Sequence, residues 1–354
     1  MEFGLSEEQI LLQDSLNRYL DESSSLDQVR ELCTSPGKDV WDGLVDMGVP
    51  GILVSESNGG LGMSALDAAI VAEALGAHTA HAPFLGSAVM APVALQAAGV
   101  NPDDILGALM AGEKRVGIAV GEAIAARRDA GIHSEGTSIT GKALYVLDHG
   151  ADAYLVADQN KALFLVQASG DGVRDQPLAT IDETRRTGEL VFDGATAIKI
   201  SDDLAVLQKS LDAGRVMLAA DTLGAAQNML DQAVAYAKER EQFNRPIGSF
   251  QAVKHMCAEM AAALEPCRAL VWFAAHALDE LPLEATVTAC HTKAHLAEVG
   301  KFVAKTSTEV HGGMGFTDLV GLHYWFKRIG FNRQLLGSPE LVRDEAAMAQ
   351  GFLD

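Results

Sequence analysis

Lys238–Gln251 reads KEREQFNRPIGSFQ, and the rest of the chain takes its meaning from this stretch. It closes a run in which Leu204, Leu207, Leu211, Leu218, Thr222, Ala225, Met229, Ala233 and Tyr236 recur at three- and four-residue spacing. That is one face of a helix of about nine turns. Pro246 cannot continue the helix and Gly248 follows it, so the chain turns here. Arg240, Gln242 and Phe243 stand at the turn: a fixed cation, an amide and an aromatic face. Such a set suits a nucleotide diphosphate, with Arg forking onto phosphate oxygens, Phe against a base and Gln on an edge. From residue type alone a plainer reading competes. Arg and Gln near a helix C-terminus commonly cap it or face water, and a lone Phe is commonly core.

Beyond the turn, long helices are expected over residues 252–279 and 284–310. Ala and Gly on the inward face of the first helix permit the close packing of a four-helix bundle. HGGMGF (His311–Phe316) follows as a Gly-rich turn. Residues 1–112 read as helical. Ser6 caps a first turn bearing Glu7 and Glu8, with an apolar period through Ile10, Leu11, Leu16 and Leu20. Short amphipathic pieces cover 26–34 and 39–47, and a Gly-rich turn, Glu56–Gly62, precedes a helix over Leu66–Leu75. Between 113 and 200 the texture changes to β-type runs, VGIAV, TSITG, ALYVL, AYLVA, ALFLVQ and TGELVFD, separated by Gly, Asp and Asn. No G-x-G-x-x-G follows a strand and no G-x-x-x-x-G-K-[ST] loop exists, which leaves nicotinamide and ATP chemistry unsupported. The expected class is α+β, mainly α: an N-terminal helical domain (1–112), a small middle β domain (113–200) and a C-terminal four-helix bundle (201–354).

The 354 residues, 48% hydrophobic, provide core for two or three domains. Acidic residues outnumber basic ones 48 to 27, and no Lys/Arg run exists, which argues against nucleic acid as a partner. A few local cations still override that mean field, so CoA is not excluded. Cys33, Cys257, Cys267 and Cys290 are too widely spaced for a zinc site or a disulfide framework, and they fit a reducing cytoplasm. MEFGLSEEQI carries no cationic region, so no signal peptide is expected there. Ala82–Val100 lacks charges, but Pro83, Gly86, Pro92, Gln96 and Gly99 mark it as buried helices of a soluble core, not a membrane span.

R-x-Q-F-x-x-P-I-x-x-F-Q, here Arg240, Gln242, Phe243, Pro246, Ile247, Phe250 and Gln251, resembles the signature of the acyl-CoA dehydrogenases. Glu56, Gly59, Gly60, Leu61 and Gly62 resemble that family's PEEYGGLG segment, with Ser55 in place of the proline. Gly312, Gly313, Gly315 and Phe316 resemble its Q-x-x-G-G-x-G-[FY] loop, with Glu309 in place of the glutamine, and TDLVGLHYWFKR resembles its final-helix segment ending in Lys327 and Arg328. The resemblance covers the whole chain and is most specific in the C-terminal third. It implies the acyl-CoA dehydrogenase fold, FAD as cofactor and an acyl-CoA thioester as substrate. It also implies an electron-transfer flavoprotein as acceptor and a dimer or tetramer with a homologous subunit. Arg240, Gln242, Phe243, Gln251, His311, Gly312, Gly313 and Gly315 are implied at the ADP end of FAD, and Tyr145 against the flavin.

The middle domain departs from the family pattern. Gly121-Glu122-Ala123 stands for Thr-Glu-Pro, Gly-Ser-Asp is missing, and the loop shortens to AIAARRDAG. Ala143, Tyr145 and Leu147 replace Lys, Trp and Thr/Ser, which removes a hydroxyl near flavin N5 and a backing indole. The family's base is a glutamate in one of two places. Just before the arginine of L-D-x-x-R this chain has Gly214, and in the Y-E-G-T turn it has Leu336 or Gly337, depending on register. Asp212 lies about 200° around the helix from Gly214 and cannot stand in. Glu340 is the surviving carboxylate nearby, although after Ser338-Pro339 it also reads as a first-turn acid of a short helix. In the family the retained elements serve a cofactor held mainly by the neighbouring subunit, whereas the lost ones serve the chain's own site. The pattern is that of a subunit without its own catalytic glutamate in a heteromeric enzyme, of the kind found in bacteria that degrade steroid side chains. Three other readings stay open: a self-sufficient homo-oligomer with Glu340 as base, a flavin monooxygenase on the same fold, and an assembly protein without flavin. The acyl group is not legible.

Overall fold

Ser6 accepts a hydrogen bond from the Gln9 N–H while the Gln9 side chain accepts from the Ser6 N–H, and this box opens α1 (Glu7–Ser23). The computed structural model describes residues 4–34, 39–125 and 127–353; Met1–Phe3 of the acidic N-terminus and Ala126 of the 123–131 loop lie outside them. α2 (Leu26–Thr34) and α3 (Trp41–Asp46) follow. A second box, Ser64 with Asp67, starts α4 (Ala65–Ala77). A buried π-helical turn, Leu85–Met90, runs into α5 (Ala91–Ala98), and α6 (Ile105–Met110) ends the helical region. The uncharged Ala82–Val100 segment is thus interior packing. Among the described residues no helix is long and apolar enough to cross a membrane.

The middle region holds β1 (Val116–Ala119), the single turn α7 (Gly121–Ile124), β2 (Gly131–Glu135), β3 (Ser138–Leu147), β4 (Ala153–Ala157), β5 (Leu163–Gln167), β6 (Val173–Pro177), β7 (Thr187–Thr196) and β8 (Ile198–Ser201). They form one sheet in the order β6-β7-β3-β1-β4-β5-β8, with β2 paired to β3. Only β1 and β4 pair in parallel among these strands. TSITG and ALYVL, which read as two runs, are one strand. β3 stays continuous because two register shifts absorb the bends, one beside Gly141 (φ +114°) and one spanning Tyr145 (φ +56°). β2 and β6 carry charges and turn residues, so no alternating pattern marks them in the sequence, and β8 alternates over only four residues.

α8 (Leu204–Glu239), α9 (Gln251–Glu280) and α10 (Ala285–His311) are the long helices, the last two within one residue of the expected ends. α11 (Leu322–Asn332) packs on α8 and α10 to complete the bundle, and α12 (Pro339–Ala349) packs on α10. α8 also crosses α4 at backbone contact. A Cβ on Gly224 would lie 1.9 Å from the Glu73 carbonyl oxygen, and one on Gly76 1.9 Å from that of Asp221. Only glycine on each helix allows this approach.

Beside that crossing lies a buried ionic cluster. Arg328 on α11 donates to both Asp221 carboxylate oxygens (Nε 2.9 Å, Nη2 2.6 Å) and to Ala80 O and Thr184 Oγ1. Arg185, from the β6–β7 connection, reaches Asp221 at 3.0 Å, and Asn332 donates to it at 2.6 Å. Burial opposes the Asp221 charge, yet Arg328 and Arg185 hold its carboxyl below the usual range. Replacing Asp221 by Ala takes the carboxylate partner from buried Arg328 and leaves Arg185 only Asp182, at 3.7 Å. The expected loss is about 3–5 kcal/mol, read as a lower urea midpoint with an unchanged slope.

Candidate active site and cofactor surface

α8 ends at Glu239, and the next residues form a two-residue hairpin in which Gln242 pairs with Arg245. Phe243 (φ +53°) and Asn244 (φ +60°) both take left-handed conformations, the geometry of a type I′ turn. Phe243 is therefore held out from the chain, 88% exposed, with only an edge contact to Phe250 at 6.1 Å between ring centroids. Its burial as core, the plainer expectation, does not occur. Arg240, Gln242 and Gln251 are exposed around it. Arg240 caps α8 through its backbone N–H only, which leaves the guanidinium outside the cap.

The Gly-rich turn lies at the end of α10. Gly312 (φ +58°, ψ −137°) adopts a conformation restricted to glycine, and Gly312, Gly313 and Phe316 are exposed. Gly315 is buried: a Cβ there would meet Thr308 O at 2.8 Å and His311 Cβ at 3.1 Å. His311 does not join the exposed set. It is buried, stacked on Tyr236 at 4.6 Å, and its Nδ1 donates to Ser307 O at 2.8 Å.

A cavity of about 600 Å³ opens between the sheet and the α11–α12 connection. Ile118, Leu147, Leu335, Leu336 and Leu341 give it apolar walls. Tyr145 lies at its edge, with the Arg127 guanidinium 5.4 Å from the ring centroid. Glu122, at the start of α7, takes the Leu144 N–H and Arg127 Nη1 on one carboxylate oxygen, each at 3.0 Å. Among the described residues no carboxylate lines this cavity.

The two positions at which the family's glutamate was sought meet at one spot. Leu336 (φ +53°) turns its side chain onto α8, where a Cβ on Gly214 would lie 2.6 Å from Leu336 Cδ1 and 2.8 Å from Met90 Sδ. A side chain on Gly337 would instead meet Val342 and Leu341 at 2.8 and 3.0 Å, inside the α12 packing. Leu336 is thus the residue that faces Gly214. Glu340 is displaced from the cavity: it sits in the first turn of α12, 3.2 Å from Arg333, with its side chain 66% exposed. Hydrogen bonds from its own backbone N–H and from Ser338, with Arg333 alongside, hold its carboxyl below the usual range. A base working in a dry pocket needs the opposite shift.

Two buried cations grip the 333–338 wall from behind. Arg215 Nε donates to Leu336 O at 3.0 Å, and its Nη1 pairs with Glu345 at 2.6 Å. Lys293 Nζ donates to Asn332 O (2.8 Å), Arg333 O (3.3 Å) and Gly337 O (3.5 Å). Burial, with Arg215 and Arg333 nearby, pushes the Lys293 ammonium down to about 7.

Helical layer, middle sheet, long-helix bundle and surface hairpin together define a flavoprotein-dehydrogenase type of chain, and comparison with known proteins agrees. The family model of the acyl-CoA dehydrogenase N-terminal domain matches residues 6–101, and that of the C-terminal domain matches residues 204–350. The chain belongs to the acyl-CoA dehydrogenase family, whose members are FAD-dependent acyl-CoA oxidoreductases. It is 30% identical to acyl-CoA dehydrogenase IpdE2 of Mycolicibacterium smegmatis, over 97% of this chain and 99% of that one. It is similar to a chain of the ChsE4-ChsE5 complex from Mycobacterium tuberculosis (TM-score 0.89, 27% identity, 100% of both chains). Butyryl-CoA dehydrogenase from Megasphaera elsdenii shares the fold (TM-score 0.89, 21% identity, 99% of this chain and 100% of that one).

The exposed hairpin fits the ADP half of FAD by chemistry: cation, amide and aromatic face stand unburied together with the Gly312–Gly313 backbone. The cavity fits a flavin ring poorly, because Glu122 occupies the Leu144 N–H and Leu147 brings no hydroxyl.

Two outcomes follow from these geometries. Phe243→Asn removes a left-handed aromatic, which costs about 1–2 kcal/mol, and loses only an exposed edge contact. Urea denaturation of the isolated chain should show a gain of about 0.5–1 kcal/mol. For Lys293 the folded value lies below the unfolded one of 10.5, so the unfolded state binds more protons between pH 7 and 10.5, and this residue's contribution to stability rises with pH there. The stability difference between wild type and Lys293→Met should move in favour of wild type by roughly 2 kcal/mol from pH 7 to pH 9, measured by urea titration at each pH.

Proposed function

We infer that this chain is the subunit without its own catalytic glutamate in a heteromeric acyl-CoA dehydrogenase. It lends its Arg240 hairpin and Gly312–Gly313 turn to FAD held by a homologous subunit. The observation that carries the reading is that Leu336, packed on Gly214, forms part of the wall of a cavity that no described carboxylate lines. The family's reaction removes an α-proton from an acyl-CoA thioester as hydride passes to the flavin, and a hydrocarbon wall supplies no acceptor for that proton. The exposed position of Phe243, at a cost in backbone conformation, supports the other half of the reading, because such strain persists where a partner or ligand uses it. The similarity to a chain of the ChsE4-ChsE5 complex supports a hetero-oligomer. Arg240 would hold the pyrophosphate and Gln242 and Phe243 the adenine end, and the partner's flavin would supply the redox chemistry with an electron-transfer flavoprotein as acceptor. A self-sufficient enzyme using Glu340 has no support, since that carboxylate lies outside the cavity.

The test is flavin stoichiometry by absorbance, on the chain alone and co-purified with a homologous subunit. The expected result is none alone and flavin in the complex, reduced about tenfold in affinity or more by Arg240→Ala. One flavin per isolated chain sinks the proposal.

A further inference from the structure

The family's chemistry leaves Arg127 unexplained. Its guanidinium is the one cation on the described wall of the cavity, in an otherwise largely apolar lining. Glu122 balances its charge from a carboxylate that is only 4% exposed, and that carboxylate is fixed in place by the Leu144 N–H. Arg127 spends one nitrogen on this pair; among the described residues its Nε and Nη2 have no hydrogen-bond partner, and the side chain is 33% exposed. The site therefore offers directed N–H donors with no net charge to satisfy. A second carboxylate brought there would leave an unbalanced negative charge against largely apolar walls, which is unfavourable. A neutral acceptor takes the same donors without that penalty. A cavity of about 600 Å³ is within the range of sites that enclose small organic ligands.

We propose that the cavity of this chain is a holding site for a neutral, apolar carbonyl compound, its oxygen accepting from Arg127 and its hydrocarbon body lying against Leu147, Leu335 and Leu341. The proposal rests on the reading that no flavin occupies the cavity of this subunit. The ligand is bound and not transformed, because no described carboxylate reaches it to take a proton.

The test titrates the full-length flavin-free chain by calorimetry with cyclododecanone and with cyclododecanecarboxylate, which share one apolar ring. The expected result is one ketone per chain, with the carboxylate at least about tenfold weaker. Glu122→Gln keeps an acceptor for the Leu144 N–H and releases the charge of Arg127, so it should reverse that order. Leu341→Trp fills the cavity and should abolish ketone binding; thermal melts check its folding, and the Glu122→Gln arm decides if it does not fold. Tighter binding of the carboxylate to wild type, or an order that Glu122→Gln leaves unchanged, overturns the proposal. Failure of both compounds to bind a flavin-free chain overturns it and leaves the partner-subunit reading intact. Flavin that co-purifies with the isolated chain and is expelled by Leu341→Trp overturns both.

Discussion

The Asp221–Arg328–Arg185 cluster is the constraint on which the arrangement depends. Asp221 belongs to α8, Arg328 and Asn332 to α11, Arg185 and Thr184 to the β6–β7 connection, and the Ala80 carbonyl to the segment after α4. All three regions of the chain meet at one carboxylate. Asp182, 3.7 Å from Arg185, supplies a second negative charge and brings the cluster close to neutral. Asp148, half-buried nearby, is pushed up to about 7 by desolvation and adds less charge than its type suggests. Since α11 runs directly into the 333–338 wall, the cluster also sets where the cavity's far side stands.

Periodicity made the long helices legible, because their inward faces carry apolar residues over many turns and Pro246 and the Gly-rich turn mark the breaks. The middle region was harder. β3 reads as two strands since Tyr145 and Gly141 interrupt its alternation, and β6 carries almost no apolar residue. The ionic cluster was invisible. Asp221 lies among Ala and Leu with nothing to distinguish it from a surface acid, and its partners Arg328 and Asn332 stand more than a hundred residues away. Lys293 left a faint signal, as a lysine in register with the buried Cys290, Leu296 and Ala297 of α10. His311 is a different case: its motif position implies a ligand contact, and in the folded chain its ring is buried against Tyr236.

The candidate site divides into an outward and an inward half with opposite character. The hairpin and the Gly-rich turn leave their polar and aromatic groups in solvent, at a conformational cost that the single chain does not recover. The inward cavity is open, but its family-type contacts are taken by its own residues: Leu336 covers Gly214, Glu122 occupies a backbone donor, and Arg127 leans on Tyr145. Sequence motifs registered the first half because it is local and contiguous. They registered the second half only as missing letters, since what replaced them comes from α7, β3, α8 and the α11–α12 connection together.

The reciprocal contact of Gly76 and Gly224 has a mechanical consequence. With carbonyl oxygens of each helix seated where the other lacks a side chain, α4 and α8 can neither slide by a residue nor rotate about their axes without collision. The joint behaves as a key in a slot, stiff in translation and in torsion. α8 backs the cavity wall, with Gly214 beneath the Leu336 side chain and Arg215 on the Leu336 carbonyl, so that backing is the anvil. Any change in the cavity's width must come from the compliance of the sheet and of the short connection that carries Leu336.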